Sequence, residues 1–331
     1  MILAGDIGGT KTHLALFPTE GPRSPVRQET FASGDFKDLD AIVTRFLTQG
    51  AQVTAACFGV AGPVFRNRAE ATNLPWVIDG ERLAGILGIP RAWIINDLEA
   101  TGYGIGLLTT DEFFTLNVGD PSQGGNRAVI AAGTGLGEAI LFWNGEAHLP
   151  SASEGGHADF APRNALEIAL LQYLLGKFDR VSCERVISGM GLPLLYAFLK
   201  DTGHGTEPPW LAQAMASGDP NVVITEAALT GTAALCVKTL DLFIALYGAE
   251  AGNLALKAKA TGGVYVGGGI APKILPKLRA GGFMAAFTAK GRFAEFMQAI
   301  PVHVILNPQA ALLGAFHFAR RQRAVPEPAG P

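Results

Sequence analysis

The segment LAGDIGGTKT, residues 3–12, lies between two apolar runs near the start of the chain. The runs at 1–4 and 12–17 are typical of buried strands and predict a β-hairpin with Gly8–Thr10 in its turn. Glycines let the backbone turn tightly, and successive N–H groups in such a turn can converge on an anion such as phosphate. Asp6 is placed to hold Mg²⁺ through water, because Mg²⁺ prefers a few carboxylates together with phosphates and waters. Taken alone, the segment fits either a phosphate-binding hairpin or an ordinary polar hairpin.

A near copy of this pattern occurs later in the chain. An apolar run at 127–132 leads into Gly133–Gly137, and a second apolar run follows at 138–142. The repeat of strand, Gly-Thr turn and strand favours the phosphate-binding interpretation of both segments. The sequence contains neither the Gly-x-Gly-x-x-Gly pattern of Rossmann domains nor the P-loop pattern, so both of those classes are disfavoured.

The composition is that of a compact globular protein with room for two domains: 331 residues, 48% hydrophobic and 17% charged. A net charge of −3 argues against a nucleic-acid-binding or membrane-binding surface. No basic leader precedes the first strand pattern, and the apolar stretch at 222–247 is broken by charged residues, as in a core helix. The scattered Cys57, Cys183 and Cys236 fit reduced thiols better than disulfides or zinc ligands, so a cytoplasmic protein is predicted.

Strand and helix patterns alternate through the first hundred residues, which predicts a mostly parallel sheet. In such sheets ligands bind beyond the carboxyl ends of the strands. We therefore expect the first hairpin turn, Ala61-Gly62-Pro63 and Asn96-Asp97 to lie at one edge. Asp97 has an alternative interpretation as an ordinary helix N-cap, although its neighbours favour a chemical role.

Element patterns can also be assigned along the rest of the chain. They predict strands at 24–31, 53–60, 91–95, 261–266 and 302–306, and helices at 38–47, 79–87, 98–107, 166–178, 183–199 and 310–320. One or two long helices are predicted over 221–258. The 79–87 helix is expected to begin at an Asp79 cap and to end at Gly88. An irregular connection is expected at 206–219, and disorder at 322–331.

Two polar or glycine-rich stretches of the second half are candidate ligand contacts. Ser153–Phe160 suits a ligand-binding loop in which Glu154 and His157 could bond the hydroxyls of a polyol. The same pair could be half of a metal site, but no matching Cys or His pair lies near it in the sequence. The three glycines at 267–269 could let a flat ring such as adenine lie on the backbone, or could simply form a tight strand-to-helix turn.

With these segments together, the chain resembles the bacterial glucokinase family, within the hexokinase and actin-like superfamily. Eight motifs in the same order carry the resemblance: GDIGGT at 5–10, GVAGPV at 59–64, TNLPW at 72–76, INDL at 95–98, GTGLG at 133–137, SEGGH at 153–157, ERVISG at 184–189 and GGVYVGGGI at 262–270. The resemblance implies an α/β fold of two related actin-like, ribonuclease-H-like domains with a cleft between them. The implied domains are residues 1–108 with 315–331, and 109–314.

The resemblance also implies a reaction, the ATP-dependent phosphorylation of the glucose 6-hydroxyl at the start of glycolysis, by a homodimer. Asp97 would be the general base. The implied glucose-binding residues are Asn96, Asp97, Glu154, His157 and Glu184. The implied ATP-binding residues are Asp6, Ile7, Gly8, Gly9, Thr10, Lys11, Gly133, Thr134, Gly135, Gly268 and Gly269, with Mg²⁺ at Asp6 through water.

Departures from the family pattern keep alternatives open. Lys11 stands where the family has Asn; related repressor and open-reading-frame kinases often have Lys there, but they also tend to carry a cysteine-rich zinc motif that this chain lacks. Met190 interrupts a Ser-Gly-Pro-Gly pattern. The alternatives are a kinase for fructose, mannose or an N-acetylhexosamine, and a non-catalytic sugar-binding regulator. Regulators of that kind carry an added N-terminal helix-turn-helix, for which no room is left before Gly5, and Asp97 is retained.

Overall fold

The computed structural model describes residues 1–47, 50–71 and 74–324, which contain fourteen strands and twelve α-helices. The strands are β1 (Ile2–Ile7), β2 (Lys11–Phe17), β3 (Arg27–Ala32), β4 (Ala55–Val60), β5 (Val64–Phe65), β6 (Arg68–Glu70), β7 (Val77–Asp79), β8 (Ala92–Asn96), β9 (Phe113–Asn117), β10 (Arg127–Ala132), β11 (Leu136–Trp143), β12 (His148–Ser153), β13 (Val264–Gly267) and β14 (Val302–Ile305). The helices are α1 (Leu39–Leu47), α2 (Gly80–Leu87), α3 (Asp97–Ile105), α4 (Ala165–Leu175), α5 (Gly191–Asp201), α6 (Pro209–Ser217), α7 (Pro220–Leu229), α8 (Ala234–Ala258), α9 (Leu275–Arg279), α10 (Gly282–Thr288), α11 (Ala294–Gln298) and α12 (Ala310–Ala324).

These elements divide between two compact units. Unit 1 is formed by the described residues of Met1–Glu112, Glu146–Ala152 and Asn307–Pro331, and unit 2 by Phe113–Gly145 and Ser153–Leu306. The predicted domain boundaries, 1–108 with 315–331 and 109–314, stay a prediction, and the units differ from them by including 109–112, 146–152 and 307–314 in unit 1.

The main sheet of unit 1 has the strand order β3-β2-β1-β4-β8. β1 pairs antiparallel with β2 and parallel with β4, and β4 pairs parallel with β8. In this register Ile7 lies opposite Val60, and Val60 lies opposite Asn96, so the three parallel strands end together. The prediction that the first turn and Asn96-Asp97 share one sheet edge is confirmed.

Both faces of this sheet are covered, which explains why the interior strand β4 is apolar and buried along its whole length. One face packs against α1 and α2 through residues such as Phe46 and Leu83. The other face packs against α3 and α12, where the Phe17 and Phe316 rings stack with their centroids 4.3 Å apart. The last helix of the described chain therefore completes the core built by its first strands.

α3, whose first residue is Asp97, crosses α12 at very close range. A Cβ on Gly104 would collide with the carbonyl group of Ala310, and a Cβ on Gly314 would collide with that of Ala100. Only glycine at both positions lets the two backbones touch, so this crossing fixes how α3 lies on the sheet.

Replacing Gly314 by alanine tests the crossing. We expect Gly314→Ala to lower the free energy of unfolding by about 1–3 kcal/mol, because the added methyl group forces the helices apart. Thermal unfolding followed by circular dichroism measures the change. The matched control is Gly85→Ala in α2, where a Cβ meets no atom within 4 Å and should stabilise by about 0.5–1 kcal/mol. Equal melting temperatures for Gly314→Ala and the unmodified protein would contradict the packing described here.

Unit 2 repeats the strand plan of unit 1. β10 pairs antiparallel with β11 and parallel with β13, and β13 pairs parallel with β14, which is followed by antiparallel β9. An antiparallel hairpin beside two parallel strands thus occurs in both units, as the repeated sequence pattern predicted. The long helix α8 is largely buried and packs against this sheet and the helices around it.

Several predicted elements agree with the structure and others need correction. α2 begins at an Asp79 cap and ends at Gly88, whose φ of 64° is left-handed, as predicted. The one or two helices predicted over 221–258 are the pair α7 and α8, whereas the connection expected to be irregular at 206–219 contains α6. The predicted 183–199 helix is wrong in its first half, where Cys183–Arg185 forms a 3-10 turn and α5 begins only at Gly191. Glu184 and Gly189 of this segment instead bond the hairpin of β10 and β11.

Near the end of the chain, the predicted disordered tail is wrong for residues 322–324, which continue α12, while 325–331 lie outside the described residues. Thr72 and Asn73 of the TNLPW motif also lie outside them. In the ranges 1–47, 50–71 and 74–324, no single helix is long and apolar enough to cross a membrane. The pair α7 and α8 reaches that length and composition only together, with a bend of 99° at the break.

Candidate functional site

The turn of the first hairpin is held from outside by Ser33. Within the turn, the Gly8 N–H group donates to the Lys11 carbonyl oxygen at 2.9 Å. The Ser33 N–H group donates to the Thr10 carbonyl oxygen at 3.0 Å, and the Ser33 hydroxyl donates to the Gly8 carbonyl oxygen at 2.9 Å. The buried Thr12 hydroxyl lies 3.0 Å from the Ser33 hydroxyl and completes the set. A glycine-rich turn that would otherwise be flexible is thereby fixed in one conformation.

This arrangement separates the predicted anion-binding residues into two kinds. The N–H and carbonyl groups of Gly8 are used to build the turn, so Gly8 shapes it rather than offering its N–H group. The N–H groups of Gly9 and Thr10 donate to no acceptor among the residues that the structure describes. Those two donors are the ones available to an anion such as phosphate.

Asp6 precedes this turn on β1, where it lies opposite His13 of β2. Although part of its surface reaches solvent, protein atoms surround the carboxyl group closely enough for desolvation to raise its pKa, and the opposing effect of His13 is smaller. Because His13 offsets only part of the desolvation of the Asp6 carboxylate, a bound cation would stabilise its charge. One carboxylate beside an anion-binding turn also fits the oxygen ligands that Mg²⁺ takes, with phosphates and waters completing the set.

At the end of β8, the helix cap is Asn96 rather than Asp97. The Asn96 side-chain oxygen accepts hydrogen bonds from the N–H groups of Leu98 at 2.8 Å and Glu99 at 3.3 Å, and its Nδ2 donates to the Gly62 carbonyl oxygen at 3.1 Å. The interpretation of Asp97 as the N-cap is therefore wrong. Asp97 is the first residue inside α3 and is partly exposed, and its Oδ1 accepts from the Leu98 N–H group at 3.0 Å.

The turn of the second hairpin, Gly133–Gly135, is also held from outside, at both ends. Gly133 donates its N–H group to the Gly135 carbonyl oxygen within the turn, and its own carbonyl oxygen accepts from the Gly189 N–H group, each at 2.8 Å. Beyond the turn, the Leu136 N–H group donates to Glu184 Oε2 at 3.0 Å. In each hairpin a third segment thus bonds the carbonyl oxygen of the first turn glycine, Gly8 or Gly133.

Three of the predicted glucose-binding residues lie in unit 2, and two of them come together. His157 Nε2 lies 4.0 Å from Glu184 Oε1. His157 belongs to a single 3-10 turn, Gly155–His157, that begins directly after the exposed Glu154. Because the same Glu184 carboxylate bonds Leu136, one side chain connects the second turn with the His157 loop.

The glycines after β13 lie beside the second turn. The ladder between β10 and β13 ends where Ala131 pairs with Gly267, and the Ile270 N–H group then donates to the Ala132 carbonyl oxygen at 3.2 Å. Gly268 has a φ of 82°, and a Cβ there would collide with Ala132. The structure therefore brings 268–269 next to Gly133–Gly135, as the adenosine and phosphate assignments require.

Beneath the Glu154–His157 loop lies a buried pair of carboxyl groups, Glu138 on β11 and Glu250 on α8. Gly155 packs directly against the Glu138 carboxyl group. Glu138 Oε1 and Glu250 Oε1 both lack a hydrogen-bond partner within the described part of the chain. Glu250 is the better compensated of the two, because its Oε2 accepts from Asn253 at 2.8 Å and its Oε1 lies 3.6 Å from Lys257 Nζ. Burial first, and then repulsion from Glu250, raise the pKa of Glu138 to about 7, against a smaller opposing effect of Lys257.

This raised pKa predicts a loss of stability with rising pH. The folded protein holds the Glu138 proton to higher pH than the unfolded chain does, so the free energy of unfolding falls between about pH 4.5 and pH 7, by up to about 3 kcal/mol. Glu138→Gln should flatten this decline and raise the melting temperature at pH 8. The control is Glu226→Gln at an exposed position of α7. A Glu138→Gln protein that melts at or below the unmodified protein at pH 8 would contradict the burial described here.

Several of the residues that shape the site carry no sequence signal of their own. Ser33 and Thr12 look like ordinary polar residues of a strand and its end, and Gly189 and Leu136 act only through backbone N–H groups.

Comparisons with known proteins show which proteins the whole chain resembles. A glucokinase family model matches residues 3–322. A glucokinase of Nostoc punctiforme is 47% identical over 338 residues, which cover 97% of this chain and 99% of the relative. The crystal structure of a glucokinase from an Antarctic psychrotroph matches with a TM-score of 0.83 and 29% identity, covering 97% of this chain and 98% of that one. A ROK family glucokinase from Streptomyces griseus, solved with glucose and AMPPNP, shares the fold with a TM-score of 0.65 and 22% identity, covering 97% and 99%.

Proposed function

The chain belongs to the glucokinase family, and we propose that it transfers the γ-phosphoryl group of ATP to the 6-hydroxyl of D-glucose. Its fold is the predicted α/β fold of actin-like ATPases, with the related strand plan in both units. One observation carries the proposal above the others. The parallel strands of unit 1 end in register, so a fixed anion-binding turn and the Asp97 carboxylate lie at the same sheet edge.

In this proposal Asp97 accepts the proton of the 6-hydroxyl as that oxygen attacks the γ-phosphorus in line. Asn96 contributes in two ways. Its side-chain oxygen caps α3 and so sets the direction of Asp97, and only one of the two N–H groups on its Nδ2 bonds Gly62, which leaves the other for a sugar hydroxyl. Glu154, His157 and Glu184 bond the remaining hydroxyls.

Charge on the phosphates is stabilised by donors that are fixed before the substrate binds. Gly9 and Thr10 offer their N–H groups in the first turn, and Thr134 and Gly135 offer theirs in the second, where, of the described residues, none accepts from them. Because Ser33, Gly189 and Glu184 already hold these turns, the donors need little reorganisation during the reaction, which is where electrostatic catalysis gains most. Gly268 and Gly269 lie along the adenosine.

Asp6 would hold Mg²⁺ through water, consistent with its little-compensated carboxylate. When bound, the ion supplies positive charge that neutralises the phosphate oxygens during phosphoryl transfer. Family membership also supports a cytoplasmic homodimer that acts at the start of glycolysis. Light scattering of the purified protein tests the oligomeric state.

Asp97→Asn tests the catalytic assignment. Asparagine keeps the shape and the hydrogen bonding of the side chain but cannot take the proton, so we expect kcat to fall by at least roughly 100-fold. Glucose affinity should stay within about tenfold of the unmodified enzyme. The measurement is a coupled assay of ADP formation over a panel of hexoses, with glucose binding measured separately.

The matched control is Asp79→Asn, which makes the same chemical change at the cap of α2. Since Asn caps a helix about as well as Asp, this control should melt and turn over normally. A stable Asp97→Asn enzyme with near-normal turnover would remove Asp97 from the chemistry.

Glu154→Ala tests the sugar site. The exposed Glu154 has no role in capping the 3-10 turn that follows it, so its removal should leave the fold intact. A site built around hydroxyl bonds loses affinity when one partner is removed, and we expect the glucose KM to rise at least roughly tenfold, about 1.4 kcal/mol of binding. The KM for ATP serves as the internal control and should change little. An unchanged glucose KM would exclude Glu154 from the sugar site.

A further inference from the structure

One buried hydroxyl lies at the point from which both ATP-facing segments of unit 2 begin. Tyr247 of α8 is fully buried, and its Oη reaches the carboxyl ends of β10 and β13. The Ala132 N–H group donates to this oxygen at 3.1 Å. The carbonyl oxygens of Ile130, at 3.2 Å, and Gly267, at 3.3 Å, lie within reach of the single hydroxyl proton.

These contacts fall where the sheet ladder stops. β10 and β13 are paired as far as Ala131 and Gly267, and the next residue of each strand starts a turn. Ala132 leads into Gly133–Gly135, and Gly267 leads into 268–269. At this opening the Tyr247 hydroxyl takes the place of a ladder bond, because it accepts from one strand end and has the carbonyl group of the other within donor range.

The hydroxyl is itself held rigidly. The Tyr247 ring contacts the Phe243 and Phe283 rings edge to face, with centroids 6.0 and 5.6 Å away. Burial raises the pKa of the Tyr247 hydroxyl, so it stays protonated and can both donate and accept.

We propose that Tyr247 is a positioning residue for the nucleotide: its hydroxyl fixes the separation of the phosphate-facing turn and the adenosine-facing glycines. The inference deepens the proposed function and rests on it, since it concerns the same ATP site. Tyr247 contacts the two strand ends rather than the nucleotide, so its effect is on ATP binding through Ala132 and Gly267.

A purely structural role makes a different prediction, and Tyr196 supplies the comparison. Tyr196 of α5 is also buried, and its hydroxyl donates to Glu207 Oε1 at 2.7 Å. It lies in the same unit, and none of its hydrogen bonds in the described ranges reaches β10 or β13. Tyr196→Phe therefore removes a buried hydroxyl without touching the strand ends.

The experiment titrates AMPPNP, a non-hydrolysable ATP analogue, into the full chain, Tyr247→Phe and Tyr196→Phe by calorimetry. The glucose KM and the melting temperature are measured on the same samples. We expect Tyr247→Phe to weaken AMPPNP binding roughly tenfold, because a buried N–H group loses its acceptor and the strand ends separate. Its glucose KM should stay within about twofold, and Tyr196→Phe should bind AMPPNP normally.

Hydrogen exchange on the unmodified protein gives a second measurement that does not depend on any variant. AMPPNP should slow exchange of the Ala132 and Ile270 amides at least roughly tenfold, because both bonds lie at the strand opening. Unchanged exchange there overturns the inference, as does unchanged AMPPNP binding by Tyr247→Phe or an equal loss in both variants. An unmodified protein that binds no AMPPNP overturns the proposed function together with the inference, whereas the other outcomes overturn the inference alone.

Discussion

The site depends on hydrogen bonds that hold glycine-rich turns from outside. Glycine lets the chain bend sharply, but it also leaves the turn free to change shape, and donors that move cannot stabilise charge efficiently. The protein resolves this by bonding the carbonyl oxygen of each first turn glycine to a separate segment, Ser33 for Gly8 and Gly189 for Gly133. The N–H groups of Gly9, Thr10, Thr134 and Gly135 then have no acceptor among the described residues. In unit 1, Asp97 and the capped α3 lie at the same sheet edge as the first turn, and in unit 2 the Glu184 carboxylate bonds Leu136 beside the second turn.

Two neighbouring residues at the end of β8 have different roles. Asn96 and Asp97 are adjacent and chemically similar, yet Asn96 caps α3 and Asp97 is the proposed general base. Asn96 caps α3 and bonds Gly62, while Asp97 lies one residue further on, inside α3, and is partly exposed at the sheet edge. Glu184 combines the two roles in one side chain, since one oxygen bonds the Leu136 N–H group while the other lies toward His157.

Much of this could be predicted from local pattern alone. Apolar runs located β1, β4 and β10, and Asp79 with Gly88 marked both ends of α2, because these features depend on neighbouring residues. What the sequence could not reveal are bonds between distant segments. The Ser33 hydroxyl bonds the Gly8 carbonyl oxygen, 25 residues earlier in the chain, and the Tyr247 hydroxyl bonds the end of β10, 115 residues earlier, through atoms that every serine or tyrosine carries. The same limit applies to the cap of α3. Local pattern could not tell whether Asn96 or Asp97 is the cap, because the bond from Asn96 to Gly62 joins segments that are distant in the sequence.

The crossing of α3 and α12 has a consequence for how the protein is made. One face of the sheet that carries Asp6 and precedes Asp97 is covered by α12, which begins only at Ala310. A ribosome therefore completes both strand sets before it releases the helix that closes the first core. Until then Phe17, Ala4 and Cys57 lack their packing partners from α12, and the nascent chain exposes an apolar surface that is prone to aggregation. A chain truncated before α12 would lack the helix that covers this face, so the apolar residues of the face would stay exposed to solvent.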